Sequence, residues 1–295
     1  MHDYILSCCS TADLSRTWLA NYDINYIYFN YELGGTWYKD DFGLSNSPKR
    51  LYDRMLDGEE CKTSQVSVGD YLEYFESFLS QGKDVLHVTL SSGISGTYNS
   101  ACAARDQLAP KYPGRKLYVV DSLAASSGYG LLMIKLAEKR DEGLSITQLR
   151  DWAVEHRLEL NHWFISTDLT FFVRGGRISR AAGLVGGALR VCPLMNVAAD
   201  GSLAVVERIR TERKSLRRQL AEMKARAFDG TNYSDRVFIS NSECQDSAHD
   251  LSNMIERDFP NINGHVEHFP IGATIGVHTG PGTVALFFWG KPREE

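Results

Sequence analysis

The stretch that decides the fold is Val85-Leu-His-Val-Thr-Leu90-Ser-Ser-Gly-Ile-Ser-Gly-Thr-Tyr-Asn-Ser100. Its first six residues form a short β-rich run without polar–apolar alternation, which is how a strand covered on both faces reads. Glycines and hydroxyls follow, and then Tyr98, Ala101 and Cys102 fall at helical spacing. A glycine-bearing loop between a parallel strand and a helix leaves backbone N–H groups and the positive end of the helix dipole aimed at one place. Ser92, Ser95 and Thr97 add hydroxyl donors. Such a place suits a carboxylate, a phosphate or another anion, although the same serines and glycines also suit ordinary loop and capping roles.

Working outward, Leu117-Tyr-Val-Val120 is a second run of this kind, and His162–Thr167, Arg236–Ser240 and Thr283–Trp289 are further strand candidates. Between them Val68, Tyr71, Leu72, Phe75, Phe78 and Leu79 repeat as one face of a helix, with Ser67 and Asp70 placed as a capping box. Leu123–Lys139, Ile146–Leu158 and Ser242–Arg257 are further helix candidates. Alternating strands and helices predict an α/β fold with mostly parallel sheets. A boundary near Leu158 divides it into two docked α/β domains, residues 1–158 and 159–295, with the ligand at their interface. Asp200-Gly201 between two apolar runs predicts a hairpin with a type I′ turn, projecting from the second domain. Gly128 and Gly130 lie inside a helical pattern and read as points of close helix packing.

Composition removes whole classes. The chain has 295 residues, 43% hydrophobic and 23% charged, with 32 Lys+Arg against 37 Asp+Glu and a net charge of −5. That acidic balance lacks the basic footprint of a nucleic-acid binder. No run reaches the roughly 18 apolar residues of a membrane span. No cationic segment precedes an apolar one at the N-terminus, so a cytoplasmic protein without an integral membrane segment is expected. Six cysteines without CxxC spacing, dispersed histidines and the absence of H-E-x-x-H argue against a metal site. No phosphate loop or complete dinucleotide fingerprint is present, so no cofactor is expected. Gly93-Ile-Ser95-Gly-Thr97 misses the G-x-S-x-G nucleophile elbow because its second glycine comes one place early.

Three other segments carry chemistry. Lys62-Thr-Ser-Gln-Val-Ser67 is a second hydroxyl-rich loop before a helix. Val277-His-Thr-Gly-Pro-Gly282 reads as a tight turn between two β-like runs, able to deliver His278 to the domain seam. Between Glu207 and Arg226 eight cations, Arg210 among them, accompany Leu216, Leu220 and Met223 on an amphipathic helix with a basic face.

In their order and spacing these loops resemble the DegV family of bacterial fatty-acid-binding proteins. The matching elements are Ser10-Thr-Ala-Asp-Leu14, Thr63-Ser-Gln-Val-Ser67, Ser92-Gly-Ile-Ser-Gly-Thr97, Asp121-Ser122 with Gly128 and Gly130, Arg174-Gly-Gly-Arg-Ile-Ser179, Arg210-Thr211 and His278-Thr-Gly-Pro-Gly282. The sequence departs from the family pattern at Cys8-Cys9, where an aspartate usually precedes the Ser-Thr pair, and at Val66, usually proline.

The resemblance implies two α/β domains enclosing one long-chain fatty acid, whose carboxylate is offered to a separate ATP-binding fatty acid kinase subunit for acyl-phosphate formation. The chain itself would be a lipid-binding subunit without catalytic residues of its own. Carried over by position, Thr63, Ser95, Gly96 and His278 would bind the carboxylate, Ser64, Ser92 and Arg177 would support the head group, and Arg210 would face the partner. Phe171, Phe172, Leu184 and Leu189 are candidates for the tunnel wall. The alternative is a stand-alone lipid carrier or sensor without a kinase partner, and a remote alternative is a serine esterase or acyltransferase using Ser95 and His278.

Overall fold

The computed structural model describes residues 2–179 and 191–294. The first half is built around β1 (Tyr4–Cys9), β2 (Ile24–Ile27), β6 (Asp84–Thr89) and β7 (Leu117–Asp121), with α1 (Arg16–Asn21) linking the first two. These strands form a sheet of order β2-β1-β6-β7, parallel throughout. Helices α3 (Val68–Leu79), α4 (Thr97–Leu108), α5 (Ser126–Asp141) and α6 (Ile146–His156) complete this half. The α3 start is the expected capping box, with Ser67 and Asp70 each satisfying the other's backbone N–H.

Between β2 and α3 the chain adds a layer the sequence did not announce. Strands β3 (Asn30–Leu33), β4 (Thr36–Lys39) and β5 (Cys61–Ser64), with α2 (Pro48–Leu56), make a small antiparallel sheet of order β4-β3-β5. Thr63 therefore sits on a strand, opposite Tyr31, rather than in the loop expected of residues 62–67.

The second half holds β8 (Leu160–Ser166), α7 (Thr170–Arg174), β9 (Leu194–Val197), β10 (Leu203–Glu207), α8 (Glu212–Arg226), β11 (Phe238–Asn241), α9 (Gln245–Asp258), β12 (Glu267–Pro270), α10 (Ala273–Thr279) and β13 (Thr283–Trp289). Its sheet runs β10-β9-β8-β13-β11-β12, and β11–β12 is its one parallel pairing among the described residues. The fold is α/β as expected, but the expectation of mostly parallel sheets holds for the first sheet and not for this one. The cause is burial: every residue of β8 and of β13 is buried, with α5 packed on the sheet and α8 against β8. Gln219 of α8 donates to the carbonyls of Trp163 and Val284 at 2.8 and 3.1 Å. Continuous apolar runs report helices on both faces, whichever way the strands run.

Two local readings are also corrected. Of the Asp200-Gly201 pair Gly201 alone has positive φ, +80°. The turn closes through Gly201 N–H to Ala198 O (3.0 Å) and Ala198 N–H to Ser202 O (2.8 Å), so it is not type I′. The ribbon does not project freely either: Ser91 Oγ donates to Gly201 O at 2.8 Å, and a Cβ on Gly93 would come within 2.4 Å of Gly201. The end of the β-like run expected before Val277 and the first residues of the expected turn together form helix α10.

Helix α5 joins the halves. A Cβ on Gly128 would meet Phe287 and His162 at 2.4 and 2.5 Å, while one on Gly130 would meet Ala12 O at 2.6 Å, so the glycines admit the second sheet on one face and the first half on the other. One buried apolar cluster runs through both halves. A smaller one, with Tyr31, Leu33, Leu51, Tyr52, Met55, Phe171 and Val277, ties the three-stranded sheet to α10.

Candidate functional site

A cavity of about 380 Å³ opens where the Ser91–Gly96 loop, β5, α10 and the faces of β8 and β13 meet. Its volume is ordinary for a small-molecule site. Thr63, Ser64, Gln65, Ser95, Gly96, Arg177 and His278 gather in its lining. Apolar wall comes from Phe29, Leu90, Ile94, Phe164, Phe172, Val197, Leu203, Ile271, Ile275 and Phe287.

The polar group is wired. Thr63 Oγ1 and His278 Nε2 are 2.7 Å apart, and Arg177 Nη1 lies 3.4 Å from His278 Nδ1. A guanidinium only donates, so Nδ1 accepts and Nε2 carries the ring hydrogen. Nε2–H then donates to Thr63, leaving the threonine hydroxyl hydrogen for a ligand. Burial, reinforced by the Arg177 charge, pushes His278 down to about 3, so the ring is neutral. Arg177 also donates to Gly175 O at 2.5 Å and to Ile94 O at 3.3 Å. It has no acidic partner within 4.0 Å among the described residues, and burial lowers its pKa. Ser95 Oγ accepts the Thr97 N–H at 3.2 Å, which leaves its own hydrogen for the cavity.

Close approaches hold this geometry. A Cβ on Gly175 would stand 2.3 Å from His278 Nδ1, and one on Gly96 would stand 2.4 Å from Gln65 Oε1. Gly280, at φ +66°, turns the chain out of α10 against the Phe171 ring.

Among the expected residues, Thr63, Ser95, Gly96, His278, Ser64 and Arg177 are brought together, although Ser64 directs its hydroxyl to Gln65 O at 3.1 Å. Ser92 is not: its side chain is exposed outside the lining and its N–H binds Asp121 Oδ1 at 3.1 Å. Arg210 is exposed and also outside the lining. Phe172 is in the wall, whereas Phe171 packs in the smaller cluster. Leu184 and Leu189 lie outside the described residues. His278 meets Thr63 and Arg177 with its two nitrogens, so it is not turned toward Ser95 as an esterase base would be.

Two residues were missed. Asp40 takes the N–H groups of Ala273 and Thr274 at 3.2 and 3.0 Å, anchoring the start of the helix whose last turn carries His278. Asp13 accepts from Ser126 Oγ at 2.6 Å beside it. Burial raises both carboxyls, and for Asp13 the neighbouring Asp40 adds to it. Ser10-Thr-Ala-Asp13 was visible as a motif without a role, while nothing in the sequence marked Asp40.

Comparison with known proteins agrees with this architecture. The sequence model of the family described as "Uncharacterised protein, DegV family" matches residues 9–291. A DegV domain-containing protein of Clostridium perfringens is 34% identical over 294 residues, covering 100% of both chains. The structure titled as fatty acid binding of a DegV family protein from Thermus thermophilus superposes with a TM-score of 0.85 at 25% identity, covering 99% of this chain and 100% of that one. The Streptococcus pneumoniae Fatty Acid Kinase (Fak) B3 protein loaded with linoleic acid shares the fold, with a TM-score of 0.83 at 22% identity over 99% of this chain and 100% of that one.

Proposed function

The chain belongs to the DegV family, and on that premise we propose that it binds one long-chain fatty acid and presents the carboxylate to a separate ATP-dependent kinase subunit for acyl-phosphate formation. The observation that carries the binding reading is Arg177, a half-buried cation without a carboxylate partner among the described residues, at one end of a cavity walled mainly by apolar side chains. A buried charge calls for an opposite charge. An apolar cavity with one cationic end matches an amphiphilic anion. Thr63 and Ser95 hold hydroxyl hydrogens ready for its oxygens, and Gly96 at the mouth of α4 adds a backbone donor. Each buried methylene contributes about 0.8 kcal/mol, so a long acyl chain covers the costs of association.

In this reading residues 1–158 and 159–295 act as the two units that clasp the acid. Arg210, exposed on the basic segment that leads into α8, faces the kinase. Among the described residues no helix is long and apolar enough to cross a membrane, and the working compartment proposed is the cytoplasm.

The test has two stages. Native mass spectrometry followed by lipid extraction should find one C14 to C18 acid per chain; an empty protein that also refuses added palmitate and oleate refutes the binding reading. Reconstitution with an ATP-binding kinase subunit should yield acyl phosphate, less of it with Ser95→Ala. Tight lipid binding without turnover would leave a carrier or sensor.

A further inference from the structure

A second cavity lies behind the wall of the first. It measures about 250 Å³, and its apolar wall includes Leu14, Phe42, Pro48, Leu51 and Pro270. Three hydrogen bonds each join a residue lining one cavity to a residue lining the other. Ser126 Oγ donates to Asp13 Oδ2 at 2.6 Å, the Thr274 N–H to Asp40 Oδ2 at 3.0 Å, and the Phe29 N–H to Ser10 Oγ at 3.0 Å. Groups in direct hydrogen bond with one another leave no room for a second layer between them, so the partition there is one residue thick on each side.

Among the described residues Ile271 alone lines both cavities. Its backbone is held where β12 ends, the N–H donating to Asn241 O at 2.9 Å, and its side chain is buried. That side chain is pure hydrocarbon. Unlike the three polar ties, it can be shortened or lengthened without stranding a donor or an acceptor. Ile271 also stands in line with the head group. Ile271, Thr274, Ile275 and His278 all line the first cavity, at helical spacing along α10 and the residue before its cap. A chain whose carboxylate sits beside His278 and whose tail follows this side of α10 therefore meets Ile271 at the far end.

We propose that Ile271 is the end stop of the acyl chamber: it sets the longest tail the protein accepts, and the second cavity is the space it withholds. This rests on the fatty-acid reading above and names the residue that selects among acids by length. Each methylene moved from water onto an apolar wall tightens binding about four-fold. Once the tail meets a packed side chain, a further methylene either stays in water or forces the core apart, and the gain turns into a cost.

The experiment is a titration of delipidated protein with saturated acids from dodecanoic to docosanoic, read by displacement of a fluorescent fatty acid and by calorimetry. In the wild-type protein affinity should climb with length to a maximum and then fall. Ile271→Ala, which takes three carbons out of the partition and joins the two cavities, should move that maximum at least two carbons longer. The ratio of affinities at the new and the old length should rise by roughly fifteen-fold, the effect of two further buried methylenes. Ile271→Phe, which extends the stop, should move the maximum to shorter acids. A maximum at one length in all three proteins, a change uniform across every length, or a wild-type affinity that climbs unbroken to docosanoic acid overturns this inference alone. Failure of every acid to bind the wild-type protein overturns the fatty-acid reading itself. Should Ile271→Ala fold poorly, the direction of the shift in Ile271→Val and Ile271→Phe decides.

Discussion

The two sheets contribute different things to one cavity. In the first, every described strand runs parallel, so the chain leaves β6 at its carboxyl end and enters α4 through the Ser91–Gly96 loop. Most N–H groups of that connection are spent within it, on Ser91, Ala124 and Asp121, and what it brings to the cavity is Gly96 at the start of α4 and the Ser95 hydroxyl. In the second, neighbours mostly run antiparallel, and β8 and β13 lie side by side over seven paired positions. That arrangement produces a broad wall on which alternate residues, Thr283, Ala285 and Phe287, face one way. A parallel sheet makes a spot and an antiparallel one makes a surface; an amphiphile needs both. The imidazole of His278, from the second half, meets Thr63 from the first and Arg177 from its own, so the two arrangements are joined at the polar end of the cavity.

The comparison is broken most severely from the surface side. Ala285→Trp would fill the wall opposite Phe164 and should abolish bound acid in lipid extraction while every head-group residue remains; stoichiometric lipid in that variant would show that the tail lies elsewhere. Next comes the join. Arg177→Ala should weaken binding by about ten- to a hundred-fold, the loss of a charged hydrogen bond, with Arg177→Lys recovering part because an ammonium keeps the charge but not the fork; equal affinities in a titration would remove the cation from the site. Smaller again, Thr63→Val, which keeps the shape and deletes the hydroxyl, should cost about three- to ten-fold in the same assay. The smallest expected effect is none. His278 is depressed from its ordinary 6.5 to about 3, so lowering the pH from 8 to 6 adds no positive charge beside the carboxylate, and affinity should stay flat. An ordinary histidine would gain charge across that interval and tighten binding as the pH fell.

Much of the first half was legible because its signals are local. Ser67 with Asp70 marks a helix start, and a run such as Val85–Leu90 followed by Gly93 and Gly96 marks a strand, a loop and a helix. Strand direction in the second half was not legible, because the residues of β8 and β13 respond to burial and not to the sense of their neighbours. The three-stranded sheet escaped because its four-residue strands are too short to show a period, with Trp37 on β4 exposed. The head-group candidates come from an ordered resemblance of loops; spacing alone offers only an anion seat. Asp40 escaped both routes, since its task is to hold the backbone of a helix more than two hundred positions away. His162 reads as one residue of a strand, and its bonds to Leu160 O and the Ala125 N–H arise only once the two halves close on each other.

Helix α5 is apolar nearly all round, with Leu131, Leu132, Met133, Ile134, Leu136 and Ala137 buried and a bare glycine turned toward each half. It is synthesised before any strand of the sheet that covers its second face. A nascent chain that has emerged as far as residue 158 therefore carries an exposed greasy flank, and that flank is covered only when β8, β11 and β13, all later in the chain, have come to pack on it. Truncation near the C-terminus should thus be felt first in the first half, as a tendency of an otherwise complete parallel sheet to aggregate.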